Sequence, residues 1–134
     1  MLRSVELEDY MLYNPIKVNV NGDIYDAVNE ILNHKISGVC VVDDENNLVG
    51  VLSEIDCLRA ILSSIYNEGA VGKIREYMTT DVISASPHED IVDVATDMLK
   101  HKHRRRPVIE NGKLIGQISC RQLLGAVKRF AETE

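Results

Sequence analysis

Aromatic residues are nearly absent from this 134-residue chain: they make up 4%, with five Tyr, one Phe and no Trp. The interior must be built from Ile, Val, Leu, Ala and Met. Cysteine is also scarce, and its odd number at Cys40, Cys57 and Cys120 excludes a disulfide framework. Such thiols fit a reducing, cytoplasmic setting. No apolar run approaches the roughly 18 residues of a membrane span, and the opening MLRSVELEDYM is too acidic for a secretory signal. Positive charge is outnumbered, Lys+Arg 15 against Asp+Glu 21, for a net charge of −6. That balance argues against a general nucleic-acid or membrane-surface binder. What remains is 45% hydrophobic and 27% charged, an ordinary globular composition in a length that suggests a single core.

What the chain does have is itself, twice. DYMLYNPIKVNVNGDIYDAVNEILNHK aligns with EYMTTDVISASPHEDIVDVATDMLKHK, so that Tyr10-Met11, Ile24, Asp26, Leu32 and His34-Lys35 meet Tyr77-Met78, Ile91, Asp93, Leu99 and His101-Lys102 at a constant offset of 67. Beyond a turn where DDENN faces ENGK the offset is 66, pairing Leu48, Gly50, Ser53 and Leu58 with Leu114, Gly116, Ser119 and Leu124. A length change confined to a turn is what a duplicated unit tolerates. Within each copy, Ile24, Ala27, Val28, Ile31 and Leu32, and Ile91, Ala95, Met98 and Leu99, recur at helical spacing behind the N-cap residues Asp23 and Asp90. Two β-rich runs follow, Val39–Val42 with Leu48–Leu52 and Val108–Ile109 with Leu114–Ile118. Asn111-Gly112 is a strong hairpin turn and Asn46-Asn47 a weaker one. A second helix closes each copy, with Leu58, Ile61, Leu62 and Ile65 on one face of the first and Leu123, Val127 and Phe130 on the second. Short strands at Ile16–Val18 and Val82–Ser84 open the copies, and NEGAVG at 67–72 reads as a linker. The expected fold is mixed α/β (α+β): two pseudo-twofold βαββα repeats, residues 8–66 and 73–132, packed sheet to sheet in one module spanning 1–134.

Each copy resembles a cystathionine-β-synthase (CBS) domain, and the pair resembles a Bateman module. The features that carry the likeness are the opening Tyr-Met, the helix DAVxxILxH, the strands SGVCVVD and RRRPVIE, and the closing GxxSxxD ahead of a helix. The resemblance implies a regulatory module without catalysis. It implies a bound adenine nucleotide (AMP, ADP or ATP) between the two repeats, with S-adenosylmethionine as the alternative ligand. A homodimer and an unidentified regulated partner protein are also implied. A ligand-free dimerisation scaffold that has kept the fold and lost the site is the competing function.

Several residues are candidates for that site. Ser53 and Asp56 have the spacing of a capping box, which explains them without any ligand. The resemblance assigns Asp56 to the two ribose hydroxyls, which one carboxylate can accept together, and both roles are compatible. Gln122 stands where the second copy would carry that acid, so one competent site is expected. In the basic run KHKHRRR, Lys100–His103 suit a helix C-terminus. Arg104 and Arg105, with Arg121, match the family's phosphate-side positions, where arginine offers bidentate contacts. By the same resemblance Leu12, Ile16, Val18, Val39 and Cys40 line the adenine slot, with Ser37 near the sugar or phosphate. For each aliphatic taken alone, plain core is the simpler reading, and Cys40 and Cys120 read as buried small hydrophobes. His34 and His101 fall at matching helix ends, and His88 falls in a loop. No local spacing of His, Cys and Asp makes a tetrahedral metal site, and no phosphate-binding P-loop or nucleophile elbow occurs.

Overall fold

In the computed structural model, which describes residues 4–132, the helical periodicities become α1 (Ile24–His34), α2 (Glu54–Tyr66), α4 (Ile91–His101) and α5 (Cys120–Glu132), with a short α3 at Ile74–Tyr77. Strands are β1 (Leu12–Tyr13), β2 (Lys17–Asn19), β3 (Gly38–Val42), β4 (Leu48–Ser53), β5 (Arg105–Glu110) and β6 (Lys113–Ser119), and a 3-10 turn covers Leu7–Asp9. Asp23 caps α1 by accepting from the Asp26 amide at 3.1 Å, and Asp90 caps α4 by accepting from Val92 at 2.7 Å. The β5–β6 hairpin turns through Asn111 and Gly112, both at positive φ (54° and 81°), as a tight two-residue turn requires. The β3–β4 turn lacks that pair, and the Asp43 carboxylate holds it by accepting from the amides of Glu45 and Asn47, each at 2.9 Å.

The chain divides into two compact units. Residues Ile16–Val82 form the central unit; the stretch up to Pro15, together with everything from Ile83, forms the terminal unit. The units are thus not the same segments as the sequence repeats. In the central unit β2 runs parallel to β3, which is antiparallel to β4, and Val51 of β4 also bridges Thr79. In the terminal unit β5 is antiparallel to β6, and β6 is antiparallel to β1 through Leu12↔Gln117 and Tyr13↔Gly116. The stretch just after the opening Tyr-Met of each repeat therefore pairs with the hairpin of the other, while β2 and the Ala85 bridge pair with their own.

Two expectations are corrected. Val82–Ser84 is not a strand; only the parallel bridge Ala85↔Val108 stands where the central unit has β2. Nor is there a single core. Ile24, Ala27, Ile31, Val39, Val41, Leu52 and Ala60 form one buried cluster, and Ile91, Val94, Met98, Val108, Ile118, Leu123 and Ala126 form another. The physical reason is the exchanged segment. Ile74 and Met78 complete the central cluster, while Leu7 and Met11 complete the terminal one, with Ile74 and Leu7 wholly buried. A small unit thereby gains apolar burial worth about 25 cal/mol per Å² that its own repeat does not supply.

The exchange also explains the matched glycines. A Cβ built on Gly50 would lie 2.8 Å from both Met78 Sδ and the Thr79 carbonyl oxygen. One on Gly116 would lie 2.7 Å from Met11 Sδ and 2.9 Å from the Leu12 oxygen. Sulfur can move, but the backbone oxygens are held by strand pairing. Gly50→Ala and Gly116→Ala should each destabilise the protein by about 1–3 kcal/mol, the usual cost of overpacking. Chemical denaturation checks this; wild-type midpoints for both variants would refute the close approach.

Candidate functional site

The central unit gathers its polar candidates where β4 runs into α2. Ser53 is extended (φ −95°, ψ 164°), and its Oγ accepts from the Asp56 amide at 3.1 Å. Asp56 Oδ2 in turn accepts from the Ser53 amide at 2.9 Å, so the capping box is complete. The other oxygen, Oδ1, lies 3.4 Å from Arg59 Nη1, with Asp56 17% and Arg59 66% exposed. A carboxylate offers about four acceptor sites, so one cap and one exposed ion pair leave capacity. Displacing Arg59 costs little, because exposed pairs are worth about 0–1 kcal/mol. Ser37 joins this corner by accepting the Glu54 amide on its carbonyl at 2.9 Å, and its side chain is half-buried. Half-buried Ile16 packs against the central core just before β2, whereas Val18, Val39 and Cys40 are buried. Leu12 lies on β1 in the terminal unit and is half exposed.

The terminal unit repeats this corner with the charge reversed. Arg104 takes the place of Ser37, and its carbonyl accepts from the Cys120 amide at 2.8 Å. Arg105 pairs across the hairpin with Ser119, as Gly38 does with Ser53. Arg121 follows in the first turn of α5. The three candidate arginines are therefore brought to one corner of the terminal unit, the counterpart within its own unit of the corner that carries Ser37, Glu54 and Asp56. Gln122 caps as Asp56 does: its Oε1 accepts from the Ser119 amide at 2.9 Å, and its own amide donates to Ser119 Oγ at 3.2 Å. Cys120 corrects an expectation, since it is exposed at the helix start with Sγ 3.2 Å from the His103 carbonyl. Cys40 and Cys57 are buried, and burial together with the neighbouring Asp56 charge pushes the Cys57 thiol up.

Arg106 was not among the candidates. It is 3% exposed on β5 and faces Ile118 across the hairpin, the register at which Val39 faces Leu52. Its Nη1 lies 2.8 Å from Asp97 Oδ2 and its Nη2 3.3 Å from His103 Nδ1, while its buried Nε has no partner. Guanidinium can only donate, so this contact favours the neutral imidazole with Nδ1 as acceptor, in the same direction as the burial that lowers the His103 pKa. The signal was in the sequence, as a charged residue at the position where the first copy has valine. His34 and His101 do sit at equivalent helix ends, each with Nδ1 against the carbonyl four residues back, at 3.1 and 2.9 Å.

Comparison with known proteins relates the chain, rather than these corners alone, to a family. A family model described as CBS domain matches residues 7–63 and again 74–129. A Methanocaldococcus jannaschii protein, MJ1225, is 38% identical over 113 residues, covering 84% of this chain and 39% of its own. The inosine-5'-monophosphate dehydrogenase of Nitrosopumilus maritimus is 36% identical over 107 residues, 78% of this chain but 20% of the enzyme, so the match is no evidence of dehydrogenase activity. The chain spans less than two thirds of each of these curated relatives. Among solved structures, CBSX2 in complex with AMP has a TM-score of 0.83 and 26% identity, covering 96% of this chain and 99% of that one. The CBS domain pair of MJ0100, in complex with 5-methylthioadenosine and S-adenosyl-L-methionine, has a TM-score of 0.76 and 25% identity, covering 91% and 98%.

The Arg106 network has a pH signature. Burial, then the Arg106 cation, hold the His103 pKa below 6.5. The unfolded chain therefore binds this proton more readily than the folded one, and stability falls as pH drops through about 6.5 toward the folded pKa. Asp97, held below the usual carboxyl range chiefly by its hydrogen bond to Arg106, acts only under about pH 4. Wild-type Tm should fall between pH 7.5 and 5, and His103→Gln, which can still accept from Arg106, should flatten that decline. An equal decline in both proteins would remove His103 from the account.

Proposed function

This chain belongs to the CBS domain family, with two copies in tandem, and from that premise we propose that it is a cytoplasmic regulatory module that binds an adenine nucleotide and reports nucleotide state to a partner protein. The observation that carries the reading is Asp56: a largely shielded carboxylate with spare acceptor sites at a helix start, in a fold shared with a protein crystallised with AMP. Asp56 takes the ribose hydroxyls. Ile16, Ser37 and Ser53 add the accessible surface beside it on the central unit, with Val18, Val39 and Cys40 as its apolar backing. Phosphate requires cations, and the chain's cationic corner is Arg104, Arg105 and Arg121. These arginines favour AMP, ADP or ATP over S-adenosylmethionine, which has no phosphate. Regulation follows if the ligand prefers one of two conformations.

Calorimetry with AMP, ADP, ATP, adenosine and S-adenosylmethionine tests the reading. Asp56→Ala should lose about 1.5–3 kcal/mol, the range for hydrogen bonds to a charged group, or roughly 10- to 150-fold in affinity, alike for adenosine and its phosphates. Asp56→Gln is the sharper variant, because Gln122 caps the equivalent helix; it should keep wild-type Tm and still lose binding. Arginine-to-alanine changes should weaken the phosphorylated ligands, spare adenosine, and reduce the salt dependence of binding. Wild-type affinity in Asp56→Gln would move the ribose elsewhere, and no binding by any ligand would favour the scaffold function.

We also propose a homodimer formed through the helices. Leu32 and Leu99, and Leu58 and Leu124, are equivalent pairs, and all four side chains are more than half exposed. Each unit thus presents the same apolar helix face, a surface that isologous pairing covers. Light scattering should give twice the chain mass, and Leu58→Lys with Leu124→Lys should give the monomer. A wild-type monomer at high concentration would refute it.

A further inference from the structure

In the terminal unit, the 3-10 turn at Leu7–Asp9 is tied to the turn before α4 by backbone alone. Leu7 donates to the Glu89 carbonyl and Glu8 to the Pro87 carbonyl, each at 2.9 Å, and Glu6 bridges Asp90. Leu7 and Pro87 are fully buried beneath this junction. On its outer side Glu6 and Glu8 turn toward one imidazole: Glu6 Oε1 lies 3.5 Å and Glu8 Oε1 3.7 Å from His88 Nδ1. The three ligand atoms lie within 4.8 Å of one another. A divalent ion bonded to nitrogen and oxygen at about 2.0–2.1 Å keeps its tetrahedral ligands about 3.4 Å apart, so the two nitrogen–oxygen gaps need close only by tenths of an ångström, and the two carboxylate oxygens stand within 4.8 Å of each other. The far nitrogen, His88 Nε2, lies 3.6 Å from Glu110 Oε2. A carboxylate behind the outer nitrogen is the usual companion of a metal-bound histidine, fixing its tautomer and orientation.

The central unit supplies an internal control. Its equivalent junction buries Ile74 where the terminal unit buries Leu7. It carries the bridge Asp23↔Lys73 and the Ile74 amide on the Gly22 carbonyl at 3.2 Å. There the flanking residues are Lys73 and Arg75, and Asn21 stands in the place of His88, hydrogen-bonded by Arg75. The fold therefore makes this junction with no carboxylate at the positions of Glu6 and Glu8 and no imidazole at that of His88. The two repeats agree on the buried residue and the backbone ties and differ in the side chains that could bind an ion.

We propose that Glu6, Glu8 and His88 form a binding site for a divalent transition-metal ion, Zn²⁺ fitting best, with Glu110 orienting the imidazole. Two carboxylates balance the charge, and the imidazole selects against the purely oxygen-seeking Mg²⁺ and Ca²⁺. The site is absent from local spacing because His88 is distant in sequence from both glutamates. Its effect is structural: the ion joins the segment before β1 to the turn before α4. It does not depend on nucleotide binding.

The test uses the full chain with Cys120→Ser, which removes the exposed thiol as a competing ligand. Zn²⁺ titration by calorimetry, with Co²⁺ absorption as the spectroscopic readout, should give one ion per chain, unaffected by excess Mg²⁺. His88→Asn, which copies the central unit and so preserves the junction, should weaken binding at least about tenfold, and Glu110→Gln about tenfold, as loss of an orienting partner does. Saturating Zn²⁺ should raise Tm in the parent protein and not in His88→Asn. Equal binding and equal Tm shift in parent and His88→Asn would overturn the site. So would the absence of any Zn²⁺ affinity tighter than about 1 mM, which would leave His88 a polar contact of three carboxylates.

Discussion

Each unit depends on a hydrophobic plug that its own repeat does not provide. Leu7 and Met11 close the terminal core, and Ile74 and Met78 close the central one. Burying one aliphatic side chain of this size stabilises by about 1.5–3 kcal/mol, and two such residues are a large share of a small unit's stability. The exchange sets the other local rules. It demands glycine at 50 and 116, gives β6 its second partner, and places the bridge at Thr79.

On this shared frame the repeats have diverged in charge at the two equivalent strand-to-helix corners. The β4–α2 corner carries Ser37, Glu54 and Asp56, and the β5–β6–α5 corner carries Arg104, Arg105 and Arg121 on the same backbone pattern. Capping is conserved in geometry while the capping group changes from carboxylate to amide. Asp56 caps through one oxygen and leaves acceptor capacity on the other, which makes Asp56→Gln more informative than deletion of the side chain.

Much of this was legible in the sequence because it is periodic or local. The α1 and α4 stripes, the caps at Asp23 and Asp90, the Asn111-Gly112 turn and the Ser53–Asp56 box all depend on residues within a few positions of one another. What was not legible depends on partners far along the chain. The pairing of each opening Tyr-Met segment with the other hairpin cannot be seen in two similar motifs. Arg106 reads as one more member of a basic run until Asp97 and His103 are found around it. Cys120, expected in the core, is exposed because it occupies the helix-start position that Glu54 holds in the other copy.

The discontinuity of the terminal unit bears on the order in which the chain folds. The central unit is one continuous stretch, so its contacts form across short separations, which favours rapid assembly. The terminal unit must bring Leu7 to Ile91 and Leu12 to Gln117, and closing a loop of such length from an unfolded chain costs about 3–4 kcal/mol in entropy. Once the central sheet exists, Lys17, Cys40, Val51 and Thr79 lie in one row across it. The two exits from that sheet are then about 14 Å apart, three strand spacings. Folding of the middle thus shortens the loop that the ends must close, and a destabilised central unit would slow the terminal one without touching any of its contacts.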